Sequence, residues 1–128
     1  MKTIVATLFA VLMFGVFSSS AKAQTSNILV ISQNSSTKVV SVISAPDSGV
    51  SGTYLSYSSQ LSTTITAIEN KLFSGLASGT VLIVRVDANK NITVLVAPDP
   101  GLSGQFVVVD DKLSSVSGAI KNRLYLGL

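Results

Sequence analysis

Ala45-Pro46-Asp47-Ser48-Gly49-Val50-Ser51-Gly52 and Ala97-Pro98-Asp99-Pro100-Gly101-Leu102-Ser103-Gly104 are one phrase written twice, 52 residues apart. The likeness continues through Leu61/Leu113, Ser62/Ser114, Ala67/Ala119, Ile68/Ile120, Asn70/Asn122, Leu72/Leu124 and Gly75/Gly127. Conservative pairs such as Tyr54/Phe106, Lys71/Arg123 and Phe73/Tyr125 fill in between, and no gap is needed at that spacing. A fixed period defines the structural unit. It divides the chain into two repeats of 52 residues, 25–76 and 77–128, within one domain.

Before the shared phrase, each repeat carries two β-branched apolar runs around a polar turn. Ile28–Ser32 and Val39–Ile43 flank Gln33–Lys38, and Thr80–Val86 and Ile92–Val96 flank Asp87–Asn91. Valine and isoleucine lose little side-chain freedom on a pleated surface, while Asp and Asn favour turns, so each pair reads as a β-hairpin. After the phrase the period changes. Tyr54, Tyr57, Leu61, Ile65, Ile68, Leu72 and Leu76 are spaced by threes and fours, as are Phe106, Val109, Leu113, Val116, Ile120, Leu124 and Leu128. That spacing predicts a helix in each repeat, with Ser51 and Ser103 as N-caps and Gly75 as the stop. Val107-Val108-Val109 also reads as a short strand ahead of a shorter helix, and its counterpart Tyr54–Tyr57 leaves both open.

The expected fold is therefore α+β: an internally duplicated ββα-ββα chain forming a four-stranded antiparallel sheet with two helices on one face. Within the phrase, Pro ends the strand, Asp makes a turn, Gly takes a positive φ and Ser caps. Asp47, Gly49, Ser51, Asp99, Gly101 and Ser103 are thus candidate loop residues whose roles read as structural. The rival reading is anion binding at a helix N-terminus, and the two aspartates argue against it.

The strands carry more apolar character than a sheet covered on one side requires. Val81 and Ile83 point one way while Leu82 and Val84 point the other, and Val94 and Leu95 are likewise opposed. Two helices cover one face. The other needs a second copy, a ligand, or the chain's own covering, which makes Val81, Leu82, Ile83, Val84, Val94 and Leu95 the candidate interaction face.

Residues 1–23 have the build of a secretory signal peptide: Lys2, an apolar run from Ile4 to Phe17, then Ala21-Lys22-Ala23 as a cleavage signature. The mature chain is expected to begin at Gln24 and to be secreted or periplasmic, with no membrane attachment after cleavage. Without Lys2 and Lys22, seven basic residues face six acidic ones, a net charge of +1. The basic residues are scattered, which speaks against nucleic-acid binding. The absence of cysteine means that no disulfide holds the fold.

The chain contains no His, Cys or Trp. The commonest general base, the thiol nucleophile and the usual zinc ligands are therefore missing. Asp110-Asp111 is the one adjacent carboxylate pair, and on a helix it reads as a solvated face. No cofactor, metal or catalytic residue is expected. The chain reads as an exported, small, non-enzymatic interaction or structural module that forms a homodimer or binds a protein partner through its apolar sheet face. A carrier of a small apolar ligand is the alternative. A small hydrolase using carboxylates or a Ser–Lys pair is a distant third.

Overall fold

A computed structural model describes residues 27–128; the expected signal peptide and the expected start at Gln24 lie outside them. The element order is β1 (Asn27–Gln33), β2 (Val40–Pro46), β3 (Thr53–Ser58), α1 (Leu61–Ser74), β4 (Thr80–Val86), β5 (Ile92–Pro98), β6 (Gln105–Asp110) and α2 (Leu113–Leu126). All six strands join one antiparallel sheet in the order β3-β5-β4-β1-β2-β6.

The expected four-stranded sheet is thus corrected to six strands, and ββα-ββα to βββα-βββα. The added strands are β3 and β6, at the two edges. Of the two readings left open for Val107-Val108-Val109, the short strand before a shorter helix is the one found, and a β-bulge in each edge strand explains the resemblance to the start of a helix. Tyr54 pairs with Leu95 and Ser56 with Val94, leaving Leu55 as the extra residue; in β6, Val107 is extra between Phe106 and Val108. An extra residue returns the side chain three places on to the same face. Tyr54 and Tyr57, opposite Leu95 and Thr93, therefore share a face at helix-like spacing, as do Phe106 and Val109 opposite Ile43 and Ser41.

The helices begin nine residues later than the shared phrase suggested. Ser51 and Ser103 do not cap them; Gln60 and Lys112 occupy the cap positions, with no side-chain cap bond. Instead Ser58 Oγ accepts from the Gln60 N–H at 3.0 Å, and Asp110 Oδ1 accepts from the Lys112 N–H at 3.0 Å, each turning a strand into a helix. That contact and neighbouring donors hold the Asp110 carboxyl below its usual range. Asp110 thus ends a strand and is not part of a helical face. Gly75 does stop α1, with φ +93°.

One apolar layer lies between the sheet and the helices. Leu29, Ile31, Val40 and Val42 from the first hairpin and Leu82, Val84, Ile92 and Val94 from the second meet Ile65, Ile68, Leu72, Val116, Ile120 and Leu124. Burying a side chain of this size stabilises the fold by roughly 1.5–3 kcal/mol. The helices also touch each other, and Ser117 Oγ donates to Glu69 Oε2 at 2.7 Å.

A second apolar layer covers the opposite face. Ile28, Val30, Val81, Ile83, Leu95 and Ala97 form it, with Ile43, Val50 and Leu102 packed against them. Its cover is the repeated phrase itself. To pass from β2 to β3 the chain must cross β1, β4 and β5, and to pass from β5 to β6 it must cross β4, β1 and β2. Four strand spacings span about 19 Å. Seven Cα steps reach at most about 25 Å, so each crossover runs nearly extended and lies flat on the sheet. Gly52 and Gly104 mark the closest approach: a Cβ on Gly52 would collide with the Val96 carbonyl oxygen, and one on Gly104 with that of Ser44.

The two halves are one residue out of step in their first strands. Six residues, 34–39, join β1 to β2, whereas five, 87–91, join β4 to β5. Asn34 Oδ1 organises the longer turn and Asp87 Oδ1 the shorter, while Lys38 and Lys90 take φ of +66° and +68°. Across β1 and β4 the matching positions are therefore 53 apart: Leu29 with Leu82, Val30 with Ile83, Ser32 with Arg85. The 52-residue spacing resumes from Lys38 onward.

Candidate functional site

Val81, Ile83 and Leu95 lie under the crossovers, and Leu82, Val84 and Val94 lie under the helices. None of the six is more than 4% exposed. The apolar face they make is already covered by the chain, so their side chains are not presented at the surface.

The two crossovers meet the sheet through different polar residues. Under the first, Arg85 rises from β4. Its Nε donates to Asp47 Oδ2 at 2.7 Å, Nη2 donates to Asp47 Oδ1 at 3.0 Å, and Nη2 also donates to the Val50 carbonyl. This two-pronged pair ties the crossover to the sheet, and planar guanidinium and carboxylate groups suit such contact. Arg85 holds the Asp47 carboxyl below its ordinary range, and the Gly49 N–H adds to that. Reciprocally, Asp47 raises Arg85, with a smaller contribution from nearby Tyr54.

Under the second crossover Ser32 occupies the place of Arg85. A recess of about 380 Å³ opens there, floored by Val30, Val81 and Ile43 of the sheet. Ser32 and Ser41 line one side; Asp99, Leu102 and Ser103 of the crossover line the other, with Phe106 at the edge strand. Each has a matching residue under the first crossover: Thr93 for Ser41, Asp47 for Asp99, Val50 for Leu102, Tyr54 for Phe106. Asp99 makes the same local turn as Asp47, its Oδ1 accepting from the Gly101 N–H at 2.9 Å. Its N–H donates to the Gly79 carbonyl at 2.8 Å. Among the described residues no cation is paired with it, whereas Asp47 has Arg85.

The loop residues singled out from sequence therefore divide by role. Gly49 and Gly101 take φ of +79° and +70°, as a tight turn after Asp requires. Asp47 anchors a crossover, Asp99 and Ser103 line the recess, and Ser51 is exposed. Sequence reasoning missed Arg85, Ser32, Ser41, Ile43, Leu102 and Phe106. One signal was present: Arg85 is the single charge inside the apolar run Thr80–Val86.

A smaller space of about 210 Å³ lies on the other side of the sheet, lined by Gln33, Lys38, Val40, Leu72, Phe73, Asp111 and Leu113. Gln33 spans it, donating to the Leu72 carbonyl and accepting from the Leu76 N–H, both at 3.1 Å. Among the described residues no three His, Cys, Asp or Glu side chains come together, and no helix is long and apolar enough to cross a membrane.

No protein-family model matches the chain, and neither a curated protein nor a solved structure matches it.

Proposed function

We propose that this protein is a small exported binding module without catalytic activity, which takes a ligand in the recess under its second crossover. The observation that carries this reading is the difference between the two crossovers: Arg85 of the sheet bonds Asp47 of the first, while a recess of about 380 Å³ opens under the second. That volume is at the lower end for ligand pockets, and its lining pairs apolar residues with a few polar groups that orient a guest. One carboxylate and several hydroxyls suit binding better than proton transfer. Export to the periplasm or outside the cell rests on the signal-peptide pattern of residues 1–23.

A second reading, contact with a protein partner or another copy, draws on the rim of the same face. Tyr54, Tyr57, Phe106 and Val109 stand exposed on the two edge strands. Exposed aromatic side chains are favoured anchors at protein interfaces. This reading replaces the buried strand residues with surface ones.

The test is a protein-observed NMR screen with small fragments. Binders are expected to shift the amides of Ser32, Ile43, Leu102 and Phe106. A screen whose binders all cluster elsewhere, or that finds none at millimolar concentration, overturns the ligand-binding reading.

A further inference from the structure

We infer that the recess under the second crossover receives a guanidinium group carried on a short aliphatic stem, bound by Asp99 in the way that Asp47 binds Arg85. This rests on the recess being a binding site. The chain itself supplies the template. In the first half, a guanidinium enters between the sheet and the crossover, meets both carboxylate oxygens of Asp47, and donates to the Val50 carbonyl. In the second half the same backbone turn presents Asp99, with its Oδ1 held by the Gly101 N–H as Gly49 holds Asp47. Leu102 stands in the place of Val50, so its carbonyl is the corresponding acceptor.

The missing part is the cation, because Ser32 ends at a hydroxyl where Arg85 extends four heavy atoms further to its guanidinium fork. The vacated path runs over Val30 and Ile43, which are apolar and suit a methylene stem. Phe106 lines the rim of the recess, at the edge-strand position that Tyr54, near Arg85, holds in the first half, and an aromatic ring close to a cation favours it. A carboxylate and a guanidinium form a planar two-pronged contact that an ammonium group cannot reproduce, so guanidino compounds are favoured over amines.

Two sources carry this group: an arginine side chain in a peptide, and a free guanidino compound. N-acetyl-arginine amide represents the first and agmatine the second, with N-acetyl-norleucine amide as the uncharged control of similar length. Each is titrated into the purified protein while the amides of Ser32, Leu102 and Phe106 are followed by NMR. At least one guanidino probe is expected to bind about tenfold more tightly than the control, as a charge-assisted contact provides. Asp99→Asn keeps the turn, since its amide oxygen also accepts from Gly101, and is expected to remove that advantage. Ser32→Arg is expected to fill the recess from within and abolish binding while raising the melting temperature. If the control binds as tightly as both guanidino probes, the guanidinium assignment is overturned and the binding site stands. If no probe binds and the fragment screen also fails at this recess, both fall together. Binding that survives Asp99→Asn unchanged also overturns the assignment.

Discussion

Under the first crossover an arginine reaches up from the sheet and fastens the covering chain; under the second, a serine stands in the same place and leaves a recess. The surrounding parts match closely: the same Asp-x-Gly turn, the same glycine pressed against a neighbouring strand, an aromatic residue at the same place on the edge strand. The largest difference is one side chain, Arg85 against Ser32, and it separates what the crossovers do for stability from what they leave for function. Both close an apolar sheet face. Only one is locked down by an ion pair.

The comparison is most severely strained where the halves should behave alike. Gly52→Ala and Gly104→Ala each push a methyl group into a strand carbonyl. Both are expected to cost about 3 kcal/mol, near the upper range for an overpacked contact, as measured by denaturant melts. A cost below about 1 kcal/mol in one half alone would mean that its crossover is not pressed to the sheet as the other is.

A smaller effect is expected where the halves differ. Arg85→Ser removes an ion pair whose side chains are about a quarter exposed, and its contact to Val50, a loss of about 1–2 kcal/mol at neutral pH. Because Asp47 is held below its ordinary pKa when folded, its share of stability is fully present above about pH 4. That share disappears as pH falls through the lowered value. The gap between wild type and Arg85→Ser should accordingly stay constant from neutrality to about pH 5 and shrink below about pH 4. A gap that persists undiminished near pH 2 would show that packing, and not the ion pair, is what Arg85 contributes.

These two halves also show which features were legible in the residues. The four inner strands were plain, since Ile28–Ile31 and Val81–Val84 are β-branched runs bounded by turn residues. The edge strands were not, because the bulges at Leu55 and Val107 give Tyr54/Tyr57 and Phe106/Val109 a helical spacing. With those strands hidden, the shared phrase read as a helix entrance and Ser51 as its cap. The phrase instead crosses the sheet, and the second apolar face, expected to meet a partner, is covered by Val50 and Leu102. The recess was hidden by a single residue of slippage. At the uniform 52-residue spacing Arg85 faces Gln33, one polar residue against another, and nothing is lacking. Only the longer turn at 34–39, visible in the backbone, sets Arg85 against Ser32.

That exchange of side chains is the most direct test of the account. In the double variant Ser32→Arg with Arg85→Ser, the locked and open spaces should trade places without altering the sheet. N-acetyl-arginine amide, followed by NMR, should then shift the amides of Val50, Tyr54 and Ile83 and leave those of Leu102 and Phe106 unmoved. Shifts that remain at Leu102 and Phe106, or a folded variant that binds the probe at neither crossover, would contradict it.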